Sequence, residues 1–144
     1  MNVILTDTLQ QTIFRQMEAT FPNEGGGFLL GTRTGDSATV QDVIQIDNVF
    51  ETEEQYHRYA MTPQNWMQIE DEADERGLTL LGYYHSHPNA PAIPSDYDRT
   101  HALPNFIYII TEVTEGNAVN MRVWRLQNSR ERFDELKLVV EHNE

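Results

Sequence analysis

The chain has 144 residues, with 10 Lys and Arg against 23 Asp and Glu, for a formal charge of −13. That balance repels phosphate backbones and argues against a nucleic-acid partner. Cysteine is absent, which excludes disulfides, thiolate nucleophiles, iron–sulfur clusters and zinc ribbons, so any transition metal must sit on His, Asp and Glu.

Hydrophobic residues make up 39% of the chain, enough for one core in a chain this long. No apolar stretch approaches the ~20 residues needed to cross a bilayer. The segment Met1-Asn2-Val3-Ile4-Leu5-Thr6-Asp7 has no basic region before its apolar run, unlike a signal peptide. The expectation is a single domain over residues 1–144, with no membrane association. A cysteine-free chain also suits the cytoplasm.

In chain order, Asn2 to Leu5 reads as a short strand leading into a helix that starts near Asp7, with Gln10 three residues on as in a capping box. Leu9, Ile13 and Met17 recur at helical spacing, and Pro22 ends the helix. Gly25-Gly26-Gly27 passes into Phe28-Leu29-Leu30, a buried strand; the turn Thr34-Gly35-Asp36-Ser37 and the alternation from Val40 to Asp47 complete a hairpin. Residues Glu51 to Gln55 read as a loop and Tyr56 to Ala60 as a short strand. Thr62-Pro63 starts a second helix, with Trp66, Ile69 and Ala73 on its inner face and Gly77 at its end. Leu78 to Tyr84 is a continuous apolar run, as in a central strand. A Pro-rich loop from Ser86 to Ser95 precedes a helical turn from Asp96 to His101. Phe106 to Val113 and Ala118 to Leu126 flank the hairpin turn Glu115-Gly116-Asn117. The alternation of Leu136, Leu138 and Val140 favours a last strand, with a C-terminal helix as the alternative. The sum is an α+β fold, a mixed and mostly antiparallel sheet flanked by helices.

The chemistry concentrates in His85-Ser86-His87-Pro88, six further residues, and Ser95-Asp96-Tyr97-Asp98. Two histidines at i and i+2 of an extended strand project to one side and can share a metal ion. Prolines in the loop restrict the unfolded chain and help to hold a downstream ligand. Asp98 can return as the third ligand, leaving one position for water; three protein ligands plus water is the layout of a catalytic zinc site. A water activated in this way needs a base. The residues alone leave 23 acids in competition; Glu24 is favoured because it precedes a Gly run where backbones can pack closely. Ser95 could donate a hydrogen bond to the oxyanion of a tetrahedral intermediate.

This pattern, with the upstream block Pro22-Asn23-Glu24-Gly25-Gly26-Gly27-Phe28-Leu29-Leu30-Gly31, resembles the signature of the JAMM (MPN+) zinc metalloproteases, in their single-domain prokaryotic form. The resemblance implies an MPN/JAB-like, cytidine-deaminase-like fold. It also implies one Zn2+ per chain on His85, His87 and Asp98, Glu24 as general acid/base and Ser95 as oxyanion stabiliser. The implied reaction is hydrolysis after the C-terminal Gly-Gly of a ubiquitin-like or sulfur-carrier (β-grasp) protein. Gly26 stands where many prokaryotic relatives have Cys, a residue that is not a ligand. Long insertions that grip ubiquitin chains have no room here.

Two other readings compete. Two His and one carboxylate also describe the facial triad of non-haem Fe(II) oxygenases, and a non-catalytic MPN-type scaffold would bind protein partners without metal. The intact set of Glu24, His85, His87, Ser95 and Asp98 favours the peptidase. His101 reads equally as a partner of the ligands or as a helix-surface residue; His57 and His142 read as surface residues. Trp66 and Trp124 read as core. The run Glu70-Asp71-Glu72 reads as a solvated helix face. The residues do not set the oligomeric state.

Overall fold

The computed structural model describes residues 1–46 and 63–142. The expected loop at Glu51 to Gln55 and strand at Tyr56 to Ala60 lie outside the described residues, as do Asp47 and Thr62. The elements are β1 (Asn2–Thr6), α1 (Asp7–Thr20), β2 (Gly26–Thr34), β3 (Ser37–Ile46), α2 (Pro63–Glu75), β4 (Thr79–Pro88), α3 (Asp96–His101), β5 (Ile107–Thr114), β6 (Asn117–Leu126) and β7 (Phe133–Glu141). The last element is the strand, as the alternation favours.

The strands form a closed barrel in the order β1-β3-β2-β4-β5-β6-β7. Closure falls to β1, which runs parallel to β3, with Ile4 opposite Thr39, and parallel to β7, with Leu5 opposite Val140. A third parallel pairing joins β4 to β5, while β2–β3, β2–β4, β5–β6 and β6–β7 are antiparallel. The mixed, mostly antiparallel expectation holds, but barrel closure was not legible because it depends on which distant strands meet.

Each face of the barrel wall has its own helix. Ile13 and Met17 of α1 are fully buried against Val3, Leu5, Leu29, Val40, Leu81, Ile109 and Val123. Truncating either to Ala would cost about 2–5 kcal/mol, as for other buried large side chains. The cap of α1 is Thr6, whose Oγ1 accepts the Leu9 N–H at 3.2 Å. The helix therefore starts one residue before the Asp7–Gln10 box expected from sequence. On the other face Trp66, Ile69 and Ala73 of α2 pack against Phe28, Leu30, Tyr83 and Tyr108. Phe28 meets Trp66 edge-on with ring centroids 5.1 Å apart, the arrangement aromatic quadrupoles favour.

Covered on both sides, β4 is buried without a break from Leu80 to His87, which explains its unalternating apolar run. It extends to Pro88, so the Pro-rich loop begins at Asn89 rather than Ser86. Pairing with β2 stops at Gly26 opposite His85, while pairing with β5 continues to Pro88 opposite Val113. The regular ladder on the β2 side thus ends beside the Glu24 segment, while the β5 side continues.

Candidate metal centre

Alternation along β4 puts Tyr83, His85 and His87 on the α2 face of the sheet and Ser86 on the α1 face. The Tyr83 and His85 rings stack with centroids 6.3 Å apart. Both histidines are buried, as is Asp98. The His85 Nε2 and His87 Nε2 atoms are 3.2 Å apart; Asp98 places Oδ1 3.2 Å from His85 Nε2 and Oδ2 3.1 Å from His87 Nε2. Sequence-predicted His85, His87 and Asp98 are therefore brought together.

Their spacing fits a bound metal. Ligands about 2.0 Å from a tetrahedral zinc lie about 3.3 Å from one another. His87 Nδ1 is 2.8 Å from the Pro91 carbonyl; an N–H directed there leaves the Nε2 lone pair for a metal. Burial lowers the His85 pKa and so favours the neutral, ligating form, against the opposing pull of Asp98. At His87 burial also acts to lower the pKa, but the Asp98 hydrogen bond and charge outweigh it, and the net shift is upward.

Asp98 is positioned by α3. Ser95 is the helix N-cap: its Oγ accepts the Asp98 N–H at 3.1 Å, and its own N–H donates to Asp98 Oδ2 at 2.9 Å. The signal was present as Ser-x-x-Asp, a capping box, yet the sequence reading gave Ser95 only an oxyanion role. As an acceptor toward Asp98, the Ser95 hydroxyl still has its proton to donate. The Trp124 indole N–H donates to the Ala92 carbonyl at 3.0 Å, so this core tryptophan also fixes the Pro-rich loop. Nothing in the periodicity of β6 shows that bond.

Glu24 arrives from the other side. Gly25 donates its N–H to Ser86 Oγ at 2.9 Å and accepts the Ser86 N–H at 3.1 Å. Ser86 thus joins the Glu24 segment to the histidine strand. A Cβ on Gly25 would meet the Thr20 and Met17 side chains of α1, which would have to shift to admit it. Glu24, His87 and Ser95 line one cleft of about 370 Å3 with Pro22, Pro88, Asn89 and Ala90. Burial raises the half-buried Glu24 carboxyl to about 8; the His87 charge opposes this and the Asp98 charge adds to it. A carboxyl whose pKa lies near neutrality, beside groups able to hold a metal, can exchange protons at working pH.

The barrel, with its His-x-His strand end and returning Asp, has the architecture of an MPN/JAB-type domain. A family model described as prokaryotic homologs of the JAB domain matches residues 6–127, and the chain belongs to that family. It is 29% identical over 121 residues to the desampylase of Haloferax volcanii, covering 83% of this chain and 80% of that one. A Thermus thermophilus protease named for cleaving TtuB-protein conjugates is 34% identical over 89 residues, 62% of this chain and 55% of its own. A JAB1/MPN domain protein of Archaeoglobus fulgidus superposes with a TM-score of 0.58 at 18% identity, covering 96% and 95% of the two chains. The chain is accordingly a hydrolytic enzyme of the JAB peptidase kind, with a His-His-Asp group able to hold a metal. Among the described residues no helix is long and apolar enough to cross a membrane.

Proposed function

We propose that residues 1–144 form one JAMM/MPN+ domain that binds one Zn2+ and hydrolyses the amide bond after the C-terminal Gly-Gly of a ubiquitin-like or sulfur-carrier β-grasp protein in the cytoplasm. The carrying observation is the 3.1–3.2 Å triangle of His85, His87 and Asp98 beside a cleft that Glu24 and Ser95 also line. The relatives named for desampylation and for TtuB-conjugate cleavage support the substrate class.

Held by His85, His87 and Asp98, zinc would supply the Lewis acidity that makes water a nucleophile near neutral pH and polarises the scissile carbonyl. Glu24 takes the proton from the attacking water and returns it to the leaving amine. Ser95 donates its hydroxyl proton to the developing oxyanion, and the ring of His87 is held by Pro91. Pro22 and Pro88 line the cleft, and glycine is assigned to the positions next to the scissile carbonyl. An iron oxygenase would have no use for Glu24 and Ser95 in these positions.

The test is a mass-spectrometric cleavage series on one β-grasp carrier linked through Gly-Gly, Gly-Ala or Gly-Val. Cutting is expected at Gly-Gly with sharp loss at Gly-Val, and isolated tail peptides should be poor substrates because the folded carrier supplies binding energy. Equal cutting of all three junctions, or cutting of unfolded chains at many sites, would identify a general peptidase instead.

A further inference from the structure

Asp98 sits in a helix of six residues, too short to persist on its own side-chain preferences. Its N-terminal end is secured by the Ser95 capping box. The opposite end is held from the β6–β7 turn, far from the motif in sequence. The Arg130 guanidinium donates to three carbonyls: Nη1 to Ala102 at 2.9 Å, and Nη2 to both Arg99 and Thr100 at 3.0 Å. Arg99 Nη1 reaches back to the Arg130 carbonyl at 3.4 Å. Those acceptors belong to the last turn of α3 and its cap, where carbonyls lack helical partners and a cation is favoured.

The backbone reinforces the point. Arg130 has φ 64°, and its N–H donates to the Gln127 carbonyl at 2.9 Å. A left-handed residue closing a tight turn is ordinarily Gly or Asn; here the position holds an arginine whose fork spans α3. No other basic residue hydrogen-bonds these three carbonyls in the described structure.

We infer that Arg130 is a positioning residue for the metal ligand Asp98: by tying down the end of α3, it fixes the carboxylate against His85 and His87 without touching the metal. The inference rests on reading those three residues as the metal centre, and goes beyond it by assigning part of the metal affinity to a turn outside the motif. A lysine lacks the planar fork needed to meet three carbonyls at once.

Zinc affinity of the full chain, measured by competition with a chromogenic chelator well below the melting temperature, tests this. Arg130→Met, which keeps the aliphatic stem, should weaken zinc on the order of tenfold, the lower end of the range for residues that orient metal ligands. Arg130→Lys should fall between it and the wild type. In the metal-free protein, hydrogen exchange should quicken at residues 98–102 and not in β1 or α1. The deciding measurement is a double-mutant cycle: in an Asp98→Ala background, Arg130→Met should change zinc affinity little. Wild-type affinity in Arg130→Met, or an equal loss with and without Asp98, would overturn the inference. Failure of the metal-centre reading itself shows separately, as unchanged zinc binding in His85→Ala.

Discussion

Ser86 and Gly25 hold each other by two hydrogen bonds, one through the serine hydroxyl and one through its backbone N–H. Ser86 sits between the two histidines but faces away from them, so its task is to join the strand of ligands to the segment carrying Glu24. Replacing it with Ala leaves the buried Gly25 N–H without an acceptor, a cost of about 1–3 kcal/mol. Ser86→Ala should keep its zinc while kcat falls more than KM changes, because Glu24 loses its anchor. Unchanged kcat in a folded, zinc-loaded variant would show that the clamp is unrelated to catalysis.

Zinc content follows from the ligand triangle. The purified protein should hold close to one zinc per chain, and His85→Ala or His87→Ala should remove most of it, as read by elemental analysis. Since Asp98 holds the His87 pKa above its ordinary value, a proton competes with the metal at that ring. Zinc affinity should decline as pH falls through that raised value, with proton release on binding. Full activity after exhaustive metal removal would sink the zinc mechanism.

Glu24→Gln preserves size and removes the carboxylate proposed as the base. Turnover should collapse while zinc content and substrate affinity largely persist. By contrast, Ser95→Ala should lose on the order of 10²–10³ in kcat, the effect of one oxyanion donor, plus some zinc because the capping box goes with it. Near-normal turnover in Glu24→Gln would hand the base role to another carboxylate.

The same glutamate gives the metal-free protein a signature in stability. Its folded pKa, about 8, lies above the ordinary 4.5. Between those values the folded chain keeps a proton that the unfolded chain has released, so this group makes stability fall as pH rises across the window. Urea midpoints of wild type and Glu24→Gln, compared from pH 5 to pH 9, should show a steeper wild-type decline, with the difference between the two levelling off above about pH 8. Parallel curves would contradict it.

Gly82 offers a test of the barrel. A Cβ there would collide with the Ile107 carbonyl and backbone of the neighbouring strand. Rigid backbone cannot move aside as a side-chain tip can, so Gly82→Ala should cost at least the ~3 kcal/mol upper end of ordinary overpacking. A wild-type melting temperature would show that β4 and β5 are spaced more widely than described.

Local chemistry made much of this molecule readable from its residues. The α1 stripe, the two hairpins, the inner face of α2 and the β4 run are properties of short segments, and each was placed within a few residues. The clustering of His85, His87 and Asp98 was readable because alternation fixes the two histidines and Asp98 lies a short loop away. What stayed hidden depends on distant partners: the parallel seams of β1, the indole bond from Trp124 to Ala92, and the Arg130 grip on α3. Thr6 as the α1 cap was a smaller miss, since Thr6 and Asp7 are both good caps and tertiary placement of β1 decides between them.

The double parallel seam of β1 also dictates the timetable by which a newly made chain can mature. Among the described strands β1 is made first, yet its partner β7 is made last. Until then Leu5 and the α1 residues beneath it have no complete shelter, and the exposed margins of β1 and β6 can recruit neighbouring chains. The wall can close only once β7 has been made, so the barrel forms in one late step rather than strand by strand. Chaperone demand, and losses to aggregation at high expression, should accordingly track the interval between translation of β6 and arrival of β7.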